Sequence, residues 1–355
     1  SMIVFDVEAD NLLDDATKIH CLSYTYNGNK YDTLYDYNDM RDLVMSQRGL
    51  IGHNIVRYDA PLLEKILGIK IKARLFDTLP MSWVLNYDRP KHGLESFGED
   101  YGVPKPQIDD WENLTREEYA HRCTEDVKIN WLLWQDLLKR FMFIYEDKLE
   151  LDKFFRYLEF KMNCAATAEQ VGWKLDKELA QKCYDELGQL LADKQAELKE
   201  VMPKRKVTTI KRKPKVCFKK DGSLSSHGDR WFALLAEHNL PPHHDGPVEV
   251  VKGWEEPNPK SNPQIKEWLF SLGWEPCKFK EVKEDDGSVR KVPQVRWDNE
   301  LTKSVELLAE TNPAIKVLTD LSMLQHRQGI FKGFLETERN GYVKAEIDGL
   351  TNTLR

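Results

Sequence analysis

The most constraining feature of this sequence is a short apolar segment at its start that carries two acidic side chains. Met2–Glu8 is rich in apolar and β-branched residues, which predicts a β-strand. Asp6 and Glu8 lie two residues apart, so a strand directs both carboxylates to one face. Unpaired charge at the end of an apolar strand is costly to bury unless a cation neutralises it. The segment therefore predicts a site for Mg²⁺ or Mn²⁺, which favour oxygen ligands.

Spacing alone does not make a cation site, because the same Asp-x-Glu pattern occurs three more times. Those copies lie in polar segments or at helix starts, where we expect them to be solvated; they are Asp110/Glu112, Asp176/Glu178 and Asp298/Glu300. Residues 1–150 hold 18 Lys or Arg and 27 Asp or Glu, whereas residues 151–355 hold 34 and 32. A plain acidic surface is the alternative explanation of that imbalance.

Two further acids fit the same site. Asp59 follows an apolar run and begins a predicted helix that ends at Leu67. Asp126 lies inside a predicted amphipathic helix, Thr115–Phe141. Four carboxylates from three segments can hold two cations, and two cations can polarise a phosphodiester, generate hydroxide and stabilise the leaving oxygen.

The pattern of strands and helices predicts the fold class of the first part of the chain. The predicted strands are Met2–Glu8, Lys18–Tyr26, Lys30–Tyr37 and Leu50–Asn54. Short links join the first three, which predicts an antiparallel meander. Thr115 and Glu118 have the spacing of a capping box, which marks the start of the long helix. Strands followed by helices on one sheet indicate a mixed α/β domain over residues 1–150.

The second part of the chain has a different character. Two long helices are predicted over Leu158–Val171 and Asp176–Met202, joined near Gly172. Residues 221–260 are rich in Gly, Ser, His and Pro, which predicts an irregular lobe. The remaining predictions are helices over Pro263–Leu272 and Asn299–Leu335 and a hairpin over Asn340–Leu350.

A basic run separates these helices from the predicted irregular lobe. Residues 203–220 hold nine Lys or Arg and no acidic residue. Such a run can contact the phosphates of DNA, bind an acidic partner protein, or form a solvated loop. The first alternative assigns nucleic-acid contacts to Lys204, Arg205, Lys206, Lys211, Arg212 and Lys213.

Composition narrows the cellular setting. No apolar run approaches the roughly 20 residues that span a bilayer, so we expect no membrane contact. The first residues lack the basic start and long apolar stretch of a signal peptide. The six cysteines are scattered without a Cys-x-x-Cys pair, so neither a disulfide scaffold nor a zinc ribbon is expected. These features predict a cytoplasmic protein.

The order of the motifs resembles the DEDD 3′–5′ exonucleases, which have an RNase H-like fold. That likeness is carried by Asp6-x-Glu8, Asn54-x-x-x-Tyr58-Asp59, His92–Gly98 and the late helical Asp126. Further segments resemble the thumb of family A DNA polymerases, above all those of short-tailed bacteriophages; they are Asn258–Gln264, Leu272–Pro276 and Leu324–Leu335. The resemblance covers nearly the whole chain except residues 203–250.

The resemblance implies an RNase H-like mixed sheet with flanking helices, followed by a mainly helical thumb with an irregular basic insertion. The resemblance implies that these residues do not include the family's palm and fingers. The implied domains are a 3′–5′ exonuclease domain at 1–150, thumb helices at 151–202, the basic insertion at 203–257, the rest of the thumb at 258–338 and the start of a truncated palm at 339–355.

The resemblance also assigns roles around two Mg²⁺ or Mn²⁺ ions. Asp6 is implied to bridge both ions, while Glu8 and Asp126 complete one ligand set. Asp59 is implied to hold the second ion, partly through water. The terminal nucleotide is implied to be positioned by two further residues, Leu12 and Asn54.

One position departs from the family's pattern. Family A exonuclease sites usually carry a Tyr four residues before the last Asp, where this chain has Arg122. His121 matches the spacing of a histidine subclass instead. This implies His121 as the general base, since imidazole titrates near neutrality. Tyr119 is the alternative water-orienting group, and Arg122 is expected to contact nucleic acid.

The resemblance implies metal-dependent proofreading: hydrolysis of the 3′-terminal phosphodiester of DNA with release of nucleoside monophosphates, in the cytoplasm of an infected bacterial host. No polymerase activity is expected from these residues. The implied partners are single-stranded or primer-template DNA and a processivity factor at residues 203–257. Two alternatives remain open: a free-standing degradative nuclease, and a module that binds DNA or a partner with a silent metal site.

Overall fold

The structure, a computed structural model, describes residues 1–103, 108, 110, 113–351 and 354. Glu112 and residues 352, 353 and 355 of the expected palm start lie outside the described residues. The chain divides into two compact units. The N-terminal unit comprises Ser1–Lys174 and Tyr342–Arg355, and the C-terminal unit comprises Leu175–Gly341.

A five-stranded mixed sheet forms the centre of the N-terminal unit. Its strands are β1 Met2–Ala9, β2 Ile19–Thr25, β3 Tyr31–Leu34, β4 Gly49–Gly52 and β5 Arg74–Asp77. They lie in the order β3-β2-β1-β4-β5. The pairs β1–β2 and β2–β3 are antiparallel, which confirms the predicted meander. The pairs β1–β4 and β4–β5 are parallel.

Alternation along β1 separates an apolar face from an acidic one. Ile3, Phe5 and Val7 are buried in one hydrophobic core. Val4 is buried in a second core, on the opposite face of the strand. Asp6 and Glu8 follow Val4 at intervals of two residues. Both carboxylates therefore project from the same face of the sheet as Val4, as the sequence predicts.

The helices of this unit flank the sheet. They are α1 Tyr37–Ser46, α2 Asp59–Leu67, α3 Thr78–Leu85, α4 Leu94–Tyr101, α5 Arg116–Ile144 and α6 Lys148–Val171. The predicted capping box is present at the start of α5: the Glu118 N–H donates to Thr115 Oγ1 at 3.2 Å. The strand predicted over Lys30–Tyr37 ends early, because Asp36 accepts two backbone N–H bonds and begins α1.

Helix α6 begins earlier than predicted and crosses the expected boundary at residue 150. Its Leu151, Phe155 and Leu158 share the core that contains Val4, and the whole helix belongs to the N-terminal unit. The helix ends at Gly172, where φ is 69° and a Cβ would lie 2.6 Å from the Val343 carbonyl oxygen. Only glycine fits that turn without strain.

The prediction of a hairpin over Asn340–Leu350 is wrong. The segment contributes one short strand, β13 Tyr342–Val343, which pairs antiparallel with β6 Trp173–Lys174. The turn at Gly172 brings β6 to this segment, so the partner strand comes from a distant part of the sequence.

The C-terminal unit is mainly helical. Its helices are α7 Lys177–Val201, α8 Ser226–Glu237, α9 Asn262–Ser271, α10 Lys303–Thr311 and α11 Pro313–Thr337. Leu198, Leu269, Leu318 and Leu321 pack in one core. Two small ribbons connect the helices: β9 Phe279–Lys283 with β10 Val289–Pro293, and β11 Arg296–Trp297 with β12 Glu300–Leu301. No helix in the described ranges is long and apolar enough to cross a membrane.

The lobe predicted to be irregular is regular. Strand β7 Arg205–Lys211 pairs antiparallel with β8 Val248–Glu255, and α8 lies between them in sequence. The lobe has a small core of its own, formed by Cys217, Trp231, Leu235 and Val248. Neither β7, β8 nor α8 was predicted. The basic run and the Gly- and Pro-rich composition concealed them, and the two strands that pair are far apart in the sequence.

Candidate metal centre

The acidic residues lie where three parallel strands end. Strands β1, β4 and β5 run in the same direction, so their carboxyl ends meet at one edge of the sheet. Asp6 and Glu8 lie in the second half of β1, Asp59 begins α2 after β4, and Asp77 ends β5. The topology thus gathers acids from separate segments, at the edge where α/β sheets commonly bind ligands.

Three of the predicted carboxylates form a cluster. Asp6, Glu8 and Asp126 each offer an oxygen, and these oxygens lie within 4.8 Å of one another. Asp126 is buried on α5, one turn after Cys123, whose Sγ donates to the Asp6 backbone oxygen at 3.2 Å. Carboxylates this close repel one another, so the donor set fits a divalent cation with oxygen ligands.

Asp59 lies outside that cluster but is electrostatically linked to it. Burial raises the pKa of the Asp59 carboxyl well above its ordinary value, and the charges of Asp77 and Glu8 raise it further. Its side chain is 3% exposed, and within the described part of the chain Oδ1 has no hydrogen-bond partner. A buried, unsatisfied carboxylate oxygen is costly, and a second cation would satisfy it.

Arg122 lies beside the cluster. Its Nε is 3.3 Å from Glu8 Oε1, and both side chains are largely shielded from solvent. Arg122 precedes Asp126 by four residues, so both occupy one face of α5. The guanidinium therefore supplies positive charge at the edge of the acidic site.

The two other candidates for orienting water lie at different places on α5. His121 is exposed and, at five residues from Asp126, lies about 140° around the helix from it. The Tyr119 ring stacks on His20 of β2, with centroids 4.0 Å apart. Tyr119 therefore packs against the sheet through its ring.

The two predicted nucleotide-positioning residues differ in how firmly they are held. Leu12 is 75% exposed. Asn54 has a φ of 63°, and its side-chain oxygen accepts from Arg57 Nε at 2.8 Å. An exposed apolar side chain and a fixed amide are both suited to contact a nucleotide.

Sequence reasoning assigned no role to Asp77 or to Tyr58, although Tyr58 belongs to the motif Asn54-x-x-x-Tyr58-Asp59. Burial raises the pKa of Asp77 to about 6. Burial also raises the pKa of Tyr58 to about 12, and the charges of Asp59 and Glu8 add to that shift. The signal for Asp77 was present in the sequence, because Asp77 follows the apolar pair Leu75 and Phe76 just as Asp6 follows Val4 and Phe5.

The six predicted DNA-contacting cations have three kinds of environment. Lys204 pairs with Glu256 at 3.2 Å, and Arg205 pairs with Glu267 at 3.0 Å. Lys206 lies over the exposed Trp254 ring, 5.5 Å from its centroid. The other three, Lys211, Arg212 and Lys213, are exposed at the end of β7.

Comparison with known proteins adds a weak sequence match and a structural one. No family model matches the chain. It is 27% identical to the DNA-directed DNA polymerase of Enterobacteria phage T3, over a stretch that covers 33% of this chain and 21% of the phage protein. The chain is thus weakly homologous to part of that polymerase.

The structural match is to polymerase and nuclease chains. The POL domain of Pol1 from M. smegmatis, in complex with DNA primer-template and dNTP, has a TM-score of 0.54 at 12% identity; the match covers 97% of this chain and 48% of that one. NrnC of Brucella melitensis has a TM-score of 0.37 at 16% identity, covering 47% and 85%. The Pol1 match indicates a similar fold. The chain spans less than half the length of the phage protein and of the Pol1 chain.

Proposed function

We propose that this chain is a metal-dependent 3′–5′ exonuclease that hydrolyses the 3′-terminal phosphodiester of DNA and releases nucleoside monophosphates. The observation that carries the proposal is the cluster of Asp6, Glu8 and Asp126 beside the buried Asp59. The weak homology to a phage DNA polymerase agrees with an enzyme that acts on nucleic acid. Proofreading within such a polymerase, in the cytoplasm of an infected bacterial host, is the setting we propose.

Each acid has a proposed role at the centre. Asp6, Glu8 and Asp126 would hold one Mg²⁺ or Mn²⁺, and Asp59 would hold a second together with Asp6. Bound cations would supply polarisation of the scissile phosphate and activation of water at neutral pH. Arg122, close to Glu8, would lie where its guanidinium can also contact a DNA phosphate.

Two residues would bind the substrate, and a third would activate water. Asn54 would donate from its side-chain amide to the terminal nucleotide, and Leu12 would pack its exposed side chain against the base. His121 would act as the general base by taking a proton from water. Because His121 lies off the Asp126 face of α5, this role requires its side chain to extend toward the substrate.

The β7–β8 ribbon is the proposed second contact with DNA. Lys206 and Trp254 form a pair in which the cation can meet a phosphate and the exposed ring can stack on a base. The positive charge of the ribbon is extended by Lys211, Arg212 and Lys213. Two further cations, Lys204 and Arg205, already pair with acidic residues. A processivity factor with an acidic surface is the alternative occupant of this lobe.

The test is degradation of a 5′-labelled single strand with Mn²⁺ or Mg²⁺. Wild-type protein should shorten the strand from its 3′ end and release nucleoside monophosphates. Asp6→Ala with Glu8→Ala should lower the rate more than a hundredfold, about 2.7 kcal/mol of barrier. The matched control is Asp110→Ala with Glu112→Ala, which has the same spacing and should be near neutral. A wild-type protein without degradation, or an acid-site variant that keeps its rate, contradicts the proposal.

A module with a silent metal site is the second candidate. The ion pair of Arg122 with Glu8 favours it, because a bound cation has to compete with that guanidinium. Under this alternative the chain would bind single-stranded DNA equally well with EDTA and with Mn²⁺, and no shortened product would form.

A further inference from the structure

The inference concerns a pair of buried residues, Asp77 and Thr78, at the end of β5. We propose that these two are positioning residues that hold the metal-bearing loop and the metal-bearing helix in register. The loop is residues 52–59, which ends in Asp59, and the helix is α5, which carries Asp126. The inference rests on the proposed metal centre, and neither Asp77 nor Thr78 is assigned as a ligand.

The Asp77 side chain holds the loop by accepting hydrogen bonds from the backbone of the loop. Its Oδ1 accepts from the Asn54 N–H at 2.8 Å, and its Oδ2 accepts from the Val56 N–H at 3.2 Å. Its Oδ1 also accepts from the Leu79 N–H at 3.0 Å, the bond that caps α3. A cap needs only this last bond. The two bonds to the loop are therefore additional, and they fix the turn in which Asn54 has a positive φ.

Thr78 holds helix α5 through a shared hydroxyl. Thr78 Oγ1 accepts from Asn130 Nδ2 at 2.8 Å and donates to the Gly52 carbonyl at 3.1 Å. His53 Nδ1 lies 2.8 Å from the same oxygen. Asn130 follows Asp126 by one helical turn, so the bond fixes the height and rotation of α5 beside the sheet.

The position of these bonds argues for a role beyond general stability. Asp77, Thr78 and Asn130 are all buried polar residues, and a buried polar network specifies one arrangement of the groups that it joins. The network connects the two segments that carry Asp59 and Asp126. Because outer partners of metal ligands set ligand orientation, their loss commonly lowers metal affinity about 10–100-fold.

The first experiment compares Asp77→Asn with Asp36→Asn in the full chain. Asp36 caps α1 by accepting two backbone N–H bonds, so it is a matched cap in the same unit. In metal-free protein, Asp77→Asn should speed hydrogen exchange of the Asn54 and Val56 amides. It should also weaken Mn²⁺ binding, measured by calorimetry, about 10–100-fold. Asp36→Asn should leave Mn²⁺ binding unchanged.

The second experiment covers the case in which Asp77→Asn does not fold. Thr78→Val removes the hydroxyl at nearly constant shape, and Thr78→Ser keeps it. Thr78→Val should weaken Mn²⁺ binding about tenfold, while Thr78→Ser should restore wild-type affinity. Equal Mn²⁺ affinity in wild type, Thr78→Val and Asp77→Asn overturns the inference, as does a loss that Asp36→Asn shares. Absence of Mn²⁺ binding in the wild type contradicts the metal centre itself.

Discussion

Arg122 Nε lies 3.3 Å from Glu8 Oε1, and this ion pair joins a predicted DNA contact to the proposed cation site. The pair balances part of the negative charge that Asp6, Glu8 and Asp126 concentrate at the sheet edge. The same guanidinium competes with a cation for Glu8. If the cluster holds a cation and Arg122 contacts a DNA phosphate, as proposed, Arg122 should affect both cation affinity and DNA binding.

Replacing Arg122 with Ala should tighten Mn²⁺ binding about tenfold, because an opposite charge this close is lost from Glu8. The same change should raise KM for a single-stranded DNA substrate. The control is Lys128→Ala. Lys128 lies on the same helix but pairs with Glu125 and not with Glu8. Calorimetric titration of both variants checks the prediction, and weaker Mn²⁺ binding by Arg122→Ala contradicts it.

Replacing Asp59 with Asn should stabilise the metal-free protein at neutral pH. Burial raises the pKa of Asp59, so ionising this carboxyl in the folded state costs free energy that Asn avoids. With Mn²⁺ present the advantage should disappear, since the variant binds the ion less well. Thermal unfolding with EDTA and with Mn²⁺ measures both effects.

Asp152→Asn is the control for that experiment, because the pKa of Asp152 is shifted in the opposite direction to that of Asp59. Hydrogen bonds from Arg74 and Arg156 lower the pKa of Asp152, so its loss should destabilise the protein with or without Mn²⁺. If Asp59→Asn destabilised the metal-free protein in the same way, the assignment of Asp59 as an unsatisfied metal ligand would be wrong.

Asp77 should make stability depend on pH. Its pKa is about 6 in the folded protein and 3.8 as the ordinary value, so above pH 4 the unfolded state binds fewer protons. Stability from this group is fully present below pH 3.8 and is lost as pH rises through about 6. The unfolding free energy of wild type minus that of Asp77→Asn should fall by about 3 kcal/mol from pH 3 to 7. Urea unfolding with EDTA measures it, and a constant difference contradicts it.

His121 should determine the pH dependence of the reaction if it is the general base. His121→Ala should lower the rate about 10²–10⁴-fold, and the ascending limb of the wild-type pH profile should be lost. Arg122→Ala should reduce the rate less. The competing expectation is that Tyr119→Phe is the damaging change, with His121→Ala mild. Single-turnover rates of the three variants between pH 5 and 9 distinguish the two residues.

The sequence by itself determined the features that depend on near neighbours. Alternation placed Asp6 and Glu8 on one face of β1, and the capping box of Thr115 and Glu118 marked the start of α5. The antiparallel meander also followed from short links between strands. These features could be predicted because each depends on hydrogen bonds or side-chain directions within a few residues.

Only the tertiary structure decided which distant segments meet. It joined Asp77 to the loop that ends in Asp59, Arg122 to Glu8, and β7 to β8. It also assigned the whole of α6 to the N-terminal unit rather than to the helices that follow. An amphipathic pattern identifies a buried face but does not identify the core that covers it. A polar side chain in a sequence likewise does not reveal which backbone group it will bind after folding.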